Sequence, residues 1–154
     1  MYNTTRDGRF QYHVPTGWFD ASGDSSNGQY LIWLVRDDYG ATLGLQEVFL
    51  DDLTQREVKR KGLRAVAELS QALISQGSDH VVRKPLEEFT LQGMQCYSYE
   101  YTDRQPSDVV RVVGFEVGGS VYELTALIVG EGADSAVVFS VQQSVLSALR
   151  RPSL

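Results

Sequence analysis

Carboxylates are the side chains in this chain best suited to chemistry, and three in expected strands could be read as an acid–base group: Glu100, Glu116 and Glu123. Two carboxylates at a set separation in a cleft can do general acid–base work. Strand alternation puts these three on one sheet face, but Glu116 lies only diagonally from Glu123 and Glu100 lies further off. They read as surface charges beside a helix. The run Asp20-Ala21-Ser22-Gly23-Asp24-Ser25-Ser26-Asn27-Gly28 faintly resembles a calcium loop. It has Ser25 where the turn needs Gly and Leu31 where a bidentate Glu belongs, so it reads as a surface loop. His13 and His80, the only histidines, have no Cys, His or carboxylate at ligand spacing. Cys96 is the single cysteine, which excludes an internal disulfide and a Cys-rich zinc site. It has no basic neighbour to activate its thiol. There is no Gly-x-Ser-x-Gly elbow and no phosphate-binding loop. These residues predict no catalytic residue, no metal and no cofactor.

One charged cluster suits recognition. Arg56, Lys59, Arg60, Lys61 and Arg64 surround the single acid Glu57. On a helix they lie mostly opposite the apolar stripe, so Arg56, Lys59, Arg60 and Arg64 are the candidate partner-binding residues. An acidic patch on a protein, or an anionic membrane, is what such a face would meet. The alternative is a solvated helix face on which Glu57 supports Lys61 at i,i+4. Asn3-Thr4-Thr5 matches a glycosylation triplet of a kind common by chance.

The whole chain sets further bounds. Its 154 residues, 42% of them hydrophobic, suit one domain spanning 1–154. A net charge of −6 and a pI of about 4.8 oppose binding to a phosphate backbone, so no nucleic-acid partner is expected. No apolar run reaches the roughly 20 residues that cross a bilayer. The first residues contain no apolar signal core. The chain therefore reads as cytoplasmic, or as a mature exported form, periplasmic or membrane-anchored, whose targeting or lipoprotein signal has been removed.

The elements that would hold these residues follow from periodicity. Residues 10–14 alternate as a strand, ending at Pro15-Thr16-Gly17. Residues 30–36 and 41–49 read as strands around the turn Asp37-Asp38-Tyr39-Gly40. A helix follows, with Thr54 and Glu57 at capping-box spacing and Asp51 and Asp52 favoured by the helix dipole. Its apolar stripe is Val58, Leu63, Val66, Leu69, Leu73 and Ile74, and Gly77 caps its end. Strands are expected at 81–83, 86–91, 95–102, 109–117 and 121–129. Turns at Gln92-Gly93 and Gly118-Gly119, and a loop at Arg104-Gln105-Pro106-Ser107, separate them. Asp134 caps a last helix with Val137, Val138, Val141, Val145, Leu146 and Leu149 on its apolar face.

The hairpins predict an α+β fold, a mainly antiparallel sheet flanked by two principal helices as an α/β/α sandwich. With Tyr99 set opposite Val113, the tyrosines Tyr97, Tyr99 and Tyr101 share one face with Phe115, Tyr122 and Leu124. A helix would cover that face, and the other face would be half apolar.

The segment Gly8-Arg9-Phe10-Gln11-Tyr12-His13-Val14-Pro15-Thr16-Gly17-Trp18 resembles the opening of PsbP-like domains. In those domains a strand ends in a Pro-x-x-Trp turn and the Trp packs under the sheet. The element order along nearly the whole chain is similar to that fold as well. The fold is shared by PsbP of the photosystem II oxygen-evolving complex, DcrB-like lipoproteins and a Ran-binding nuclear-transport factor. It is also similar to adaptors that load type VI secretion effectors. The resemblance implies a structural role for Pro15 and Trp18 and a non-catalytic function with a protein partner, either in assembly or as an adaptor or chaperone. A third expectation, from another class, is a small-molecule binder or enzyme with a pocket between sheet and helix.

Overall fold

A computed structural model describes residues 2–75, 80–102, 108–130 and 133–151 of the chain. Two short strands, β1 (Asn3–Thr4) and β2 (Gln11–Tyr12), pair as a separate ribbon. The main sheet holds β3 (Phe19–Asp20), β4 (Ile32–Arg36), β5 (Ala41–Val48), β6 (Val81–Leu91), β7 (Met94–Thr102), β8 (Val109–Val117) and β9 (Ser120–Ile128). Their spatial order is β3-β4-β5-β9-β8-β7-β6, and every pair is antiparallel. The helices are α1 (Asp52–Lys61), α2 (Leu63–Ser75) and α3 (Ser135–Ala148). The expected α+β architecture is present.

The turn chemistry acts as expected in two hairpins. Gln92-Gly93 sets Leu91 opposite Met94, and Gly118-Gly119 sets Val117 opposite Ser120 and Phe115 opposite Tyr122. The loop at 104–107 and the Gly77 cap lie outside the described residues.

Where one helix is expected after β5, the chain builds two. Asp51, not Thr54, caps the first: its carboxylate accepts the Thr54 N–H at 2.7 Å. A charged acceptor at a helix start also meets the dipole, which favours it over a hydroxyl. Gly62 breaks the helix with φ +76°, and its N–H donates to the Val58 carbonyl. The break re-phases the stripe. Val66 and Ala67 are buried, whereas Leu69 and Leu73 stay 41% and 60% exposed. α3 begins at Asp134 as expected, and Val138, Val145 and Leu146 point into the core.

The register between β7 and β8 differs by one residue from expectation. Tyr97 faces Gly114, Tyr99 faces Val112 and Tyr101 faces Val110. A one-residue slip sends side chains to the opposite face, so the tyrosines lie back to back with Phe115, not beside it. Two cores result. On one face Leu43, Val113, Phe115, Leu124 and Ile128 pack under α3, with Phe10, Tyr12 and Trp18 closing the N-terminal side. On the other, Tyr97, Tyr99, Tyr101, Val110, Val112 and Val121 pack under Val66 and Ala67 of α2. Trp18 is buried as the Pro-x-x-Trp pattern implies, and its backbone N–H donates to the Pro15 carbonyl at 3.1 Å.

Candidate binding surfaces

The helices cover the sheet diagonally. α2 lies over β6, β7 and β8 on the tyrosine face, and α3 lies over the opposite face against β9. On the tyrosine face no described helix packs across β3, β4 or the first part of β5; α1 reaches only the end of β5, near Val48. The burial pattern records this. In β4, Ile32 and Leu34 are buried toward α3, while Trp33 and Val35 between them remain half-exposed. In β9, Leu124, Ala126 and Ile128 are buried, while Thr125 and Leu127 are not.

This open half-face is aromatic. Phe19, opposite Val35, is 69% exposed. Tyr30 and Trp33 lie ring to ring with centroids 4.5 Å apart. Trp33 can lie flat because its cross-strand partner is Gly44: a Cβ there would meet the Trp33 ring at 2.8 Å. Such a pair presents a broad, pre-ordered apolar surface whose ordering cost is low. Val129, 55% exposed, extends the surface just beyond β9.

The candidate basic residues Arg56, Lys59, Arg60 and Arg64 are all exposed, on α1 and the first turn of α2. Arg60 donates to Glu57 at 2.9 Å, and Lys61 sits 3.5 Å from the same carboxylate. Arg64 bridges Glu68 at 3.0 Å and Glu88 of β6 at 3.4 Å. Arg56 and Lys59 have no carboxylate within 4.0 Å among the described residues. Lys59 borders a cleft of about 360 Å³ shared with Val48, Phe49, Gln55 and Val121.

The three glutamates separate. Glu116 is partly exposed. Glu123 is not a simple surface charge: it lies under α2, where its Oε2 accepts from the Tyr97 hydroxyl at 2.5 Å and from Ser70 Oγ at 2.7 Å. Ser70 Oγ also contacts the Tyr99 hydroxyl at 2.6 Å. Burial, then the Glu123 charge, drives the Tyr97 and Tyr99 hydroxyls far above their ordinary titration range. Glu100 is 6% exposed, on the α3 face and opposite Arg111. Each of these two glutamates is displaced from its expected setting by the one-residue register difference or by the position of α2.

The other sequence candidates have structural settings. Asp20 accepts from Tyr12, Ser22 and Asn3, and Asp24 caps a single helical turn by accepting from Ser26. Burial raises the Cys96 thiol, the opposite of activation. His80 Nδ1 lies 2.5 Å from the Ile74 carbonyl, and its ring meets Tyr101 edge-on. Among the described residues no cluster of His, Cys, Asp and Glu is placed to hold a metal, and no helix is long and apolar enough to cross a membrane.

A seven-stranded antiparallel sheet with helices on both faces and a Trp-closed N-terminal segment defines a PsbP-like fold. Solved structures agree. The chain is similar to cyanobacterial PsbP (CyanoP) from Synechocystis, with a TM-score of 0.58 at 13% identity over 99% of this chain and 92% of that one. It is similar to PA94 of Pseudomonas aeruginosa, a protein of unknown function, with a TM-score of 0.55 at 13% identity over 99% and 98% of the two chains. A Bacteroides thetaiotaomicron protein matches with a TM-score of 0.52 at 7% identity, over 94% of this chain and 45% of that one. No family model matches the sequence, and no curated protein matches it significantly.

Proposed function

We propose that this domain is a non-catalytic protein-binding module, an accessory for assembly, that docks an apolar segment of its partner on the open half of the tyrosine face. One observation carries the reading: across β3, β4 and the first part of β5 no described helix lies over the face, yet it carries Phe19, Tyr30, Trp33 and Val35. A surface of contiguous aromatic and aliphatic groups is the usual mark of an interaction site. The PsbP-like fold is compatible with an accessory role, although a shared fold alone assigns no function. Arg56, Lys59, Arg60 and Arg64 would form a charged second contact that steers an acidic partner.

Two settings fit this reading. One is the mature part of an exported lipoprotein, and the other is a cytosolic adaptor or chaperone for a type VI secretion effector. A lipobox cysteine encoded upstream supports the first; an effector gene alongside supports the second.

The test is photo-crosslinking in the native host, with a benzophenone side chain at Phe19 or at the exposed Ser144 of α3. A single product from the Phe19 position, missing from the Ser144 position and abolished by adding Val35→Asp, is the expected result. Equal products from both positions, or none from Phe19, overturn the docking face.

A further inference from the structure

The diagonal helix placement leaves a second opening, on the other face and at the other end of the sheet. There α3 does not reach across β6 and β7, and a cleft of about 530 Å³ lies between them and the side of the helix. Its floor carries Ser98 and Glu100 of β7 and Arg111 of β8; Phe89 and Phe139 form its apolar walls.

Two charges in this floor are unusual. Glu100 and Arg111 are direct cross-strand partners whose side chains share one face. Opposite charges so placed ordinarily join as an ion pair, yet these two lie beyond 4.0 Å of one another. Each is drawn sideways instead. Arg111 Nη1 donates to Gln142 Oε1 at 3.1 Å. Gln142 is itself fully buried and locked, because its amide donates to the Arg111 and Leu124 carbonyls at 3.0 and 2.8 Å. Glu100, only 6% exposed, has Lys84 Nζ of the edge strand at 3.5 Å as its nearest cation among the described residues. Neither group has a further hydrogen-bond partner among the described residues, and neither has a polar atom sealed from solvent without one, so both are open to a ligand in the cleft they line.

We propose that this cleft binds a small zwitterion of the α-amino acid type, its carboxylate on Arg111, its ammonium on Glu100 and an apolar side chain between Phe89 and Phe139. A planar guanidinium matches a carboxylate in two parallel hydrogen bonds, and a carboxylate beside a hydroxyl suits an ammonium group. Ser98, 7% exposed, supplies that hydroxyl from the position two residues before Glu100 on the same face. Lys84 and Glu87 line the same cleft, so its charges balance, and a zwitterion engages Arg111 and Glu100 together where a singly charged ligand engages only one of them. The site is independent of the aromatic half-face, since it lies on the opposite side of the sheet.

Calorimetric titration of the full chain with the free L-amino acids tests this, up to about 10 mM, the range of a small ligand held by two charge contacts. At least one aliphatic or aromatic amino acid should bind, while its N-acetyl and its amide forms should each bind about ten-fold more weakly or not at all. Glu100→Gln and Arg111→Gln should each reproduce that loss. Because Arg111→Gln also disturbs Gln142 and can impair folding, amide chemical shifts of the unaltered protein give a second reading. Saturable shifts centred on Ser98, Glu100 and Arg111 support the site. The proposal fails if no amino acid binds, if blocked and free forms bind alike, or if the shifts centre elsewhere.

Discussion

The interior of the tyrosine face turns on one missing side chain. Tyr97 lies across β8 at Gly114, where a Cβ would sit 2.0 Å from the ring. The vacancy lets the phenol reach past β8 to Glu123 on β9, the cross-strand partner of Gly114. Gly114→Ala should therefore force Tyr97 out of place and destabilise the fold by about 1–3 kcal/mol, as overpacking does. Urea denaturation measures it. Adding Tyr97→Ala should recover part of the loss relative to the sum of the two single changes, because the second substitution removes the clash. Strict additivity would mean that the ring does not lie on Gly114. This glycine also bears on register: a hole on one strand invites a large neighbour opposite it, which a tyrosine fills and Ser98, its partner in the expected register, does not. Alternation alone, without that clue, set Tyr99 against Val113 and sent the tyrosines to the wrong side.

Among the elements, the break between α1 and α2 has the largest consequence. Periodicity predicts one continuous helix, because Gly62 interrupts no obvious apolar position. In the fold Gly62 adopts φ +76° and ψ −163°, a region essentially closed to other residues, and its absent Cβ would meet nothing within 4 Å. The cost of Gly62→Ala is thus backbone strain alone, about 1–3 kcal/mol. Thermal or urea unfolding should show it as a loss. An unchanged or raised midpoint would mean that the two helices straighten into one without penalty. The break lets α2 seat Val66, Ala67 and Ser70 on the tyrosines while α1 turns its basic residues outward. Leu69 and Leu73 lie off that seat and remain exposed, although their spacing placed them in the expected stripe.

At the scale of the molecule, the buried phenols tie the fold to alkaline pH. Burial, together with the hydrogen bond to Asp20, pushes the Tyr12 hydroxyl up to about 12, and burial beside the Glu123 charge raises Tyr97 and Tyr99 still further. Folded values above the unfolded value of 10.0 mean that the folded state favours the protonated phenols. The Tyr12 contribution is intact below pH 10 and is lost as the pH rises through about 12, and those of Tyr97 and Tyr99 are lost at higher pH still. Of the eight tyrosines, these three should ionise only as the far-ultraviolet circular dichroism of the fold disappears. A phenolate absorbance titration with all eight ionising near pH 10 and the fold retained would refute that burial.

The sequence by itself determined the kinds of elements and most of their order: the hairpins at Gln92-Gly93 and Gly118-Gly119, the Asp134 cap and the antiparallel sheet. These depend on local periodicity and turn chemistry, which neighbouring residues carry. Only the tertiary structure decided which face each strand of the β7–β8 pair presents, and over which half of the sheet each helix lies. The turn between β8 and β9 has two residues and permits one register. The connection between β7 and β8 is longer and leaves register to packing, so a one-residue choice there moved Glu100 and three tyrosines between faces and brought the tyrosines onto the Glu123 side. The aromatic half-face and the Glu100–Arg111 cleft both arise from that choice together with the diagonal seating of the helices, and neither is visible in residue spacing.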